Sequence, residues 1–364
     1  MFFLSCHCND RHQSQSLIQI TMTKPKKIGI LTAGGDCPGL NAAIRGVGKT
    51  AIVKYGMEVI GISSGFLGLL DKEYMTLNEQ MLSGILTEGG TILGTSREKP
   101  FKQSKRHKID KPGRIIETYN ELELDCLVCI GGNGTQKTAA KLVDAGLNII
   151  GLPKTIDNDV FGTDQTFGFD SALWIATDAI DRLHSTANSH KRIMVIEIMG
   201  HHAGWLALYS GVAGGGDVIL IPEIEYNMNV VNEYLLQRAK NKKPYSIVVV
   251  AEGITKPDPD QSAASYIAKM IEAGTGIETR KTILGYIQRG GKPTPMDRIL
   301  ATRFGAYAVE LIAEENYGNM VIKKGEKIKS MPLSEVGSKL RRVPQDHKLI
   351  TKAKGMDICF GYKE

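Results

Sequence analysis

Short runs of aliphatic and β-branched residues alternate with longer amphipathic runs from Lys27 onward. The short runs have the length of strands and the amphipathic runs have the length of helices. Alternation of this kind is typical of a mainly parallel sheet with helices on its faces. The predicted strands are KIGILT, EVIGIS, DCLVCI, NIIGL, RIMVIEI, DVILI, SIVVVAEG and the stretch around TILGYIQ, and the helical patterns include LNAAIRGVGKTAIVKY and SALWIATDAIDRLHSTA. The chain of 364 residues therefore predicts an α/β fold with two lobes, each a mainly parallel sheet flanked by helices.

The distribution of charge and apolar residues argues against two classes of function. The formal net charge of +6 is modest, and the basic residues are scattered except in residues 102–111. Neither a recognition helix nor an aromatic-studded basic face accompanies that run, so we expect no nucleic-acid partner. No stretch of about 18 apolar residues occurs, so we also expect no membrane partner.

The six cysteines indicate a reducing compartment. Cys126 and Cys129 lie in the apolar run DCLVCIGG, which predicts a buried strand, and no second cysteine pair or Cys/His cluster accompanies them. Reduced thiols are therefore favoured over a metal site, and we expect a cytoplasmic protein. Residues 1–23 lack the basic start and the long apolar core of a signal peptide. We expect a disordered extension there, or a start codon placed too early, with Met22 the true beginning.

Two glycine-rich turns each follow a predicted strand and open a predicted helix. They read TAGGDCPGLNAA and GGNGTQKTAA. Such a turn aims backbone N–H groups and a helix N-terminus at an anion, although one such turn alone can be a tight turn that needs glycine. Two of them at neighbouring strand ends favour a polyphosphate between them. Residues 43–50 end in GKT like a Walker A loop, but Ala43 replaces the first glycine and the pattern is helical, so we predict no such loop there.

Five segments together resemble the 6-phosphofructokinase family. They read KKIGILTAGGDCPGLNAAIRG, CIGGNGTQKTAA, LPKTIDNDVFGTD, MGHHAGWLA and LGYIQRGGKPTPMDRILATR. The resemblance runs in unbroken order from about Lys26 to about Asn316 and is weaker beyond it. It implies a glycolytic kinase that uses Mg²⁺ and transfers the γ-phosphoryl group of ATP to the 1-hydroxyl of fructose 6-phosphate, giving fructose 1,6-bisphosphate and ADP.

The resemblance also implies how the chain divides. We expect a split near residue 165, although no linker marks it in the sequence. The nucleotide-binding lobe is then predicted to comprise residues 24–165 and about 290–340. The sugar-phosphate lobe is predicted to comprise residues 166–289 and the C-terminal tail.

Phosphoryl transfer to an alcohol needs a base for the hydroxyl and cations for the spreading negative charge. By resemblance, Asp157 in TIDND accepts the proton of the sugar hydroxyl, Thr155 contacts the transferring group, and Arg97 reaches the phosphates as a catalytic residue. The nucleotide side is implied to consist of Gly35, Arg97, Gly132, Asn133, Gly134 and Thr135.

Asn133 departs from the family pattern, which usually has an aspartate that helps to hold Mg²⁺ at this position. A neutral amide is a poorer ligand than a carboxylate for a hard cation. We therefore expect the phosphates and water to supply most of the ligands of Mg²⁺. Asp157, Asp159 or Asp36 is expected nearby, and Asn133 is the candidate protein ligand.

The sugar side needs arginines for a terminal phosphate and hydrogen bonds for hydroxyl groups. In the family, the equivalents of Arg192 and Arg280 reach in from a neighbouring subunit, which implies a homo-oligomer, a dimer or a tetramer, with shared active sites. His201 stands where many relatives have arginine, and Tyr286 stands where many have histidine. The implied substrate-binding residues are Thr155, Ile156, Asp157, Arg192, Met199, Gly200, His201, Glu252, Arg280, Tyr286, Ile287, Gln288 and Arg289.

Two residues bear on the phosphoryl donor. Pyrophosphate users in the family tend to show GGDD with PKTIDND, and common ATP users show GGDG with PGTIDND. This chain has Gly134 in the first motif and Lys154 in the second, which is a mixed pair. A carboxylate that would crowd and repel an α-phosphate is absent at Gly134, so ATP is favoured. Lys154 leaves pyrophosphate as the alternative donor.

Three alternatives to an ATP-dependent kinase of fructose 6-phosphate remain open at this stage. The first is a pyrophosphate-dependent fructose 6-phosphate 1-phosphotransferase. The second is a catalytically weak regulatory subunit of the same fold, for which Asn133 is the only support. The third is an NAD or lipid kinase with a GGDGT-like loop, which would not require the TIDND and YIQRGG motifs.

Overall fold

The computed structural model describes residues 24–102, 110–337 and 339–362. Residues 1–23, for which an extension or an early start codon is predicted, and most of the basic run 102–111 lie outside the described residues. The described strands are β1 (Lys27–Ala33), β2 (Glu58–Ile62), β3 (Tyr74–Leu77), β4 (Cys126–Gly131), β5 (Ile149–Pro153), β6 (Ile193–Ile198), β7 (Val218–Leu220), β8 (Ser246–Ala251), β9 (Thr279–Ile283), β10 (Asn319–Lys324) and β11 (Lys327–Pro332). The α-helices are α1 (Leu40–Lys49), α2 (Phe66–Asp71), α3 (Lys111–Glu121), α4 (Asn133–Asp144), α5 (Phe169–His190), α6 (Trp205–Ala213), α7 (Met228–Lys240), α8 (Ala263–Thr275), α9 (Pro295–Ala313) and α10 (Lys348–Lys354).

These strands form two sheets, which confirms the predicted α/β class. A seven-stranded sheet has the order β11-β10-β5-β4-β1-β2-β3, and a four-stranded sheet has the order β7-β8-β6-β9. Every pairing in the smaller sheet is parallel. In the larger sheet, β3 and β11 lie antiparallel at the two edges. Parallel strands covered on both faces by helices are apolar throughout, and β1, β4 and β8 follow this rule closely.

The structure adds three strands that the sequence pattern did not predict: β3, β10 and β11. Both edge strands are largely exposed, so they need no continuous apolar run. The predicted strand around TILGYIQ ends at Ile283, and Gly285–Arg289 forms a 3₁₀ turn instead. Gly285 has a φ of 51°, which is outside the extended region and ends the strand.

Helix α9 returns the chain from the smaller sheet to the larger one and packs against α1. The two helix backbones approach each other at Gly46 and Gly305. A Cβ atom at Gly46 would lie 2.9 Å from the Thr302 carbonyl oxygen, and one at Gly305 would lie 2.6 Å from the Val47 nitrogen. This close crossing explains the two glycines. Residues 43–50 belong to α1 and its π-helical continuation, as their helical pattern predicts.

Two smaller observations bear on the expectations about cysteines and membranes. Cys126 and Cys129 are buried and unpaired in β4, as predicted for reduced thiols in a strand. Within the described ranges, no helix is both long and apolar enough to cross a membrane.

Candidate active site

The two glycine-rich turns lie side by side because their strands are neighbours. Strand β1 pairs with β4 in parallel, and Ala33 is level with Gly131. The turn at Gly34 and Gly35 therefore starts beside the turn at residues 132–135. The Thr135 hydroxyl donates a hydrogen bond to the Ala33 carbonyl oxygen at 3.3 Å and joins the two turns. Helix α4 begins at Asn133, so its free N–H groups and positive dipole end add to an anion cradle.

The cradle opens into two connected spaces of different size. A cleft of about 550 Å³ is lined by both glycine turns, by Arg97 and by one face of α4. A smaller pocket of about 200 Å³ lies beyond it, and four residues line both spaces: Gly34, Gly35, Gly134 and Thr135. The first volume is typical of a small-molecule site. The second has room for little more than a phosphoryl group and a few waters.

Arg97 is placed by the segment that pairs with the first glycine turn. The Gly34 nitrogen donates to the Ser96 carbonyl oxygen at 2.9 Å, and the Thr95 hydroxyl donates to the Gly34 carbonyl oxygen at 2.7 Å. These bonds fix the backbone directly before Arg97, whose exposed side chain lines the larger cleft.

The TIDND loop brings its polar side chains to the smaller pocket. Strand β5 ends at Pro153, beside the end of β4, and the Lys154 nitrogen donates to the Gly131 carbonyl oxygen at 3.0 Å. The Asp157 nitrogen then donates to the Thr155 hydroxyl at 3.1 Å, and Asn158 takes a left-handed conformation with φ 54°. Asparagine tolerates this conformation better than most residues. As a result, Thr155, Asp157 and Asp159 all line the pocket.

Burial dominates the electrostatics of the acidic groups. Loss of solvent raises the pKa of Asp157, and the Arg289 guanidinium opposes that effect. Burial also raises the pKa of Asp159 to about 6, and the neighbouring negative charge of Asp157 adds to the rise. The Asp157 Oδ1 atom is enclosed and has no hydrogen-bond partner in the described part of the chain. A carboxylate with a raised pKa and a free oxygen is suited to accept a proton.

Lys154 is buried between the two glycine turns. Burial lowers the pKa of its ammonium group, which donates a hydrogen bond to the Gly35 carbonyl oxygen. Lys154 therefore ties the end of β5 to the turn after β1, while its side chain also lines the smaller pocket.

Arg289 closes the pocket from the side of the smaller sheet. Its Nη1 atom donates to the Asp36 carbonyl oxygen at 3.1 Å. A Cβ atom at Gly35 would lie 2.6 Å from the same Nη1 atom, so a side chain at this position would force the guanidinium to shift. Gln288, the residue before Arg289, is buried, and its Oε1 atom accepts a hydrogen bond from the Met199 nitrogen at 2.9 Å.

Glu252 shapes the turn that carries the remaining residues on the sugar side. Its Oε1 atom accepts hydrogen bonds from the Gly200 nitrogen at 3.1 Å and the His201 nitrogen at 2.7 Å. The charges of Glu252 and His201 both act on the pKa of Asp157. The structure thus brings the turn at residues 199–201 close to Asp157.

Five further residues expected on the sugar side do not line the small pocket in the single chain. Ile156 is fully buried in the core, so only its backbone can face a ligand. Tyr286 and Ile287 are 72% and 68% exposed on the 3₁₀ turn. Arg192 and Arg280 lie at the amino-terminal ends of β6 and β9, at the edge opposite the turn at residues 199–201, and both pair with Glu278.

The structure adds residues to the larger cleft that the motifs did not reveal. Phe66 lines it from the start of α2, and Lys137, Thr138 and Lys141 line it from α4. The α4 residues follow Gly134 at helical spacing, so they extend the face of the helix that begins in the glycine turn. This helical spacing from Gly134 is the sequence pattern that indicates which α4 residues line the cleft.

The acidic and amide oxygens of the pocket fit a magnesium ion only if the ion arrives with phosphate. Within the described residues, no group of three or more His, Cys, Asp and Glu side chains could hold a metal. The Asn133 Oδ1 atom is enclosed and has no hydrogen-bond partner among those residues. Asn133 lines the smaller pocket with Asp157 and Asp159. Oxygen ligands are those that Mg²⁺ prefers, and this ion usually keeps several waters beside one or two protein ligands and substrate phosphates.

Comparison with known families identifies the chain. The sequence model of the family described as Phosphofructokinase matches residues 27–312, which is more than half of the chain. The chain belongs to the phosphofructokinase family.

Relatives of this phosphofructokinase carry more specific names. It is 63% identical over 336 residues to the ATP-dependent 6-phosphofructokinase 3 of Bacteroides thetaiotaomicron, across 92% of this chain and 100% of the relative. It is 54% identical to the ATP-dependent 6-phosphofructokinase of Spirochaeta thermophila, across 92% of this chain and 98% of the relative.

Solved structures share the fold of this phosphofructokinase. The phosphofructokinase of Saccharomyces cerevisiae superposes with a TM-score of 0.76 at 35% identity, across 85% of this chain and 45% of the yeast chain. A pyrophosphate-dependent phosphofructokinase from Marinobacter aquaeolei superposes with a TM-score of 0.80 across 93% of this chain and 92% of the other. The latter is 23% identical, so its likeness concerns the fold alone.

The coupling between the two acidic groups can be measured directly. In an Asp157→Asn variant, we expect the pKa of Asp159 to fall below about 6, because one of the two causes of its rise is removed. Burial remains, so the value should stay above the ordinary aspartate pKa of roughly 4. Carbon-13 NMR titration of aspartate-labelled protein measures this value. Asp164→Asn is the control, because Asp164 pairs with Lys324 and should leave Asp159 unchanged. An equal pKa of Asp159 in wild type and Asp157→Asn would contradict the coupling.

Proposed function

We propose that this protein is an ATP-dependent 6-phosphofructokinase that transfers the γ-phosphoryl group of ATP to the 1-hydroxyl of fructose 6-phosphate. The products are fructose 1,6-bisphosphate and ADP. The observation that carries the proposal is the position of Asp157. Its side chain lines the small pocket that continues from a nucleotide-sized cleft, beside Arg289 and near the turn at residues 199–201.

In this proposal, Asp157 acts as the general base. The sugar 1-oxygen attacks the γ-phosphorus, the bond to the β–γ bridging oxygen breaks, and the hydroxyl proton passes to Asp157. Burial raises the pKa of Asp157 and so makes its carboxylate a stronger base toward the hydroxyl proton than an ordinary aspartate. The N-terminus of α4, Arg97 and Arg289 supply positive charge for the phosphoryl oxygens as the charge spreads.

Asn133 and Asp159 are the residues that we propose for Mg²⁺, directly or through its water. Both line the pocket at the end of the nucleotide cleft. When bound to the donor phosphates, Mg²⁺ neutralises part of their negative charge. The weaker amide ligand at Asn133 leaves the phosphates as the main ligands of the ion.

Replacement of Asp157 by serine tests the assigned base. We expect Asp157→Ser to lower kcat by roughly two to four powers of ten, because it removes general-base catalysis. The KM for fructose 6-phosphate should change little, since the base contributes mainly in the transition state. Initial rates with purified protein measure both values, and Asp164→Ser on the same segment should behave as wild type. A variant with normal kcat and only a raised KM would refute the role of Asp157.

The structure supports ATP as the donor through two local observations. A Cβ atom at Gly134 would have no other atom within 4 Å among the described residues, so the α-phosphate of ATP can pass this position. Lys154, which otherwise favours pyrophosphate, is engaged by the Gly35 carbonyl oxygen. Pyrophosphate is the second candidate donor, because the same lysine side chain lines the small pocket.

A charge at position 134 tests the donor assignment. The space around Gly134 accepts an aspartate without disturbing the fold, so an effect of Gly134→Asp reports on the ligand. We expect ATP-dependent kcat/KM to fall by at least about 100-fold through repulsion of the α-phosphate, while activity with pyrophosphate is kept or gained. Gly134→Ala is the matched control, because it adds the Cβ atom without charge and should preserve ATP use. Unchanged ATP kinetics in Gly134→Asp would show that the nucleotide does not pass this residue.

We further propose a homo-oligomer in which Arg192 and Arg280 complete the active site of a neighbouring subunit. Their separation from Asp157 within one chain supports this arrangement, since both lie at the amino-terminal ends of their strands, opposite the turn at residues 199–201. Each arginine shares Glu278 and retains donors for a sugar phosphate.

Mixed oligomers test the sharing of subunits. Asp157→Ser and Arg280→Ala are each expected to be weakly active alone, and subunit exchange between them should restore part of the wild-type rate. One site of each hybrid would then contain an intact Asp157 and an intact Arg280. Asp157→Ser mixed with Arg289→Ala is the control that should show no recovery, because Arg289 lies beside Asp157 in the same chain. Absence of recovery in verified Asp157/Arg280 hybrids would exclude sharing.

A further inference from the structure

A segment near the C-terminus lies across the loop that carries Asp157. We name residues 339–347 the C-terminal strap. Leu340 forms an antiparallel bridge with Val160. The Arg341 nitrogen donates to the Asp159 carbonyl oxygen at 2.8 Å, and Arg341 Nη1 donates to the Asn158 carbonyl oxygen at 2.9 Å. The strap therefore contacts all three residues that follow Asp157, although it lies outside residues 27–312 that match the family.

The same arginine, Arg341, also contacts helix α6. This helix follows residues 199–204, which we name the sugar-side turn. The guanidinium carbon of Arg341 lies 3.9 Å from the centre of the Trp205 ring, and Trp205 Nε1 donates to the Arg341 carbonyl oxygen at 2.9 Å. Trp205 is buried and is the first residue of α6, directly after the turn at residues 199–204. Arg341 thus lies between the loop of the base and the turn of the sugar side.

Glu223 reinforces this junction. Its Oε1 atom accepts hydrogen bonds from the Gly204 nitrogen at 2.9 Å and from the Val343 nitrogen at 3.0 Å. One carboxylate therefore holds both the sugar-side turn and the C-terminal strap. The Gln345 amide also donates to the Glu223 carbonyl oxygen at 2.9 Å.

The loop has a local need for this support. Asn158 has a left-handed backbone conformation, which costs free energy in a residue other than glycine and persists only where surrounding contacts fix it. Its side chain is fixed by the Thr166 nitrogen, which donates to Asn158 Oδ1 at 3.0 Å. Its carbonyl oxygen is fixed by Arg341. Burial lowers the pKa of this guanidinium, in agreement with a largely desolvated group whose hydrogen bonds are strong.

We propose that Arg341 is a positioning residue for catalysis: by bonding the Asn158 carbonyl oxygen while packed on Trp205, it fixes the Asp157 loop against the sugar-side turn. This proposal rests on the function proposed above, in which Asp157 is the base. It assigns a catalytic contribution to the C-terminal strap, none of whose residues lines the larger cleft or the small pocket.

Arg341→Met is the informative variant, because methionine keeps an aliphatic side chain on Trp205 and removes the donor to Asn158. We expect kcat to fall about 10-fold to 100-fold, with the KM values for ATP and fructose 6-phosphate within about threefold of wild type. Arg341→Lys retains a cationic donor and should recover part of the lost rate. Lys339→Met is the matched control, since it removes a positive charge from the same strap that contacts the Phe161 ring, and it should keep the wild-type kcat.

The outcomes separate positioning from a purely structural role. A lower thermal unfolding midpoint in Arg341→Met with wild-type kcat would overturn the proposal, as would a change confined to KM. If Arg341→Met does not fold, Trp205→Phe removes the indole donor to the Arg341 carbonyl oxygen and part of the ring surface beside its guanidinium, and it should still lower kcat at unchanged KM; a wild-type kcat there would overturn the proposal. A wild-type enzyme unable to use ATP and fructose 6-phosphate would instead refute the proposed function on which this inference rests.

Discussion

Parallel pairing of β4 with β1 on one side and β5 on the other is the constraint on which the site depends. The registers place Ala33, Gly131 and Pro153 level with one another at the carboxyl ends of the three strands. Each strand must therefore release its loop at the same edge of the sheet. The two glycine turns and the TIDND loop meet there without any long excursion of the chain, as expected for ligand sites in open parallel sheets. Cross-links from Thr135 to Ala33 and from Lys154 to Gly35 then fix the loops relative to one another.

The meeting of these loops creates opposing electrostatic effects that together suit the proposed chemistry. Burial disfavours the charged forms of Asp157 and Lys154, so it raises the pKa of Asp157 and lowers the pKa of Lys154. Arg289 counteracts the first effect, and the missing side chain at Gly35 leaves room for its guanidinium. The lysine and arginine therefore have separate tasks. Lys154 organises the turn through a carbonyl oxygen, and Arg289 supplies a permanent charge beside the base.

Much of this arrangement could be predicted from sequence because it is encoded in contiguous segments. Strands such as β4 are uninterrupted apolar runs, and the glycine turns directly follow them. The hairpin of β10 and β11 could not be predicted in the same way, because four lysines and an exposed edge obscure its three buried residues. Arg192 and Arg280 lie outside the quoted motifs, and only the resemblance assigns them to the sugar site of a neighbouring subunit. Within one chain, strand direction places both at the amino-terminal ends of β6 and β9, away from the turn at residues 199–201.

The C-terminal strap supplies hydrogen-bond donors that the TIDND loop lacks. The TIDND loop leaves the sheet at Pro153, so the carbonyl oxygens of Asn158 and Asp159 lie beyond the reach of the strand ladder. Buried backbone groups need partners, and water would have to enter beside the reacting atoms to supply them. The Asn133 amide donates to the Asp159 carbonyl oxygen only at 3.4 Å, which is longer than an ordinary hydrogen bond. A segment remote in sequence supplies the partners instead, and its packing on Trp205 connects the loop to the smaller sheet. Precision at Asp157 therefore depends on contacts that form only when both sheets and the C-terminal segment have assembled.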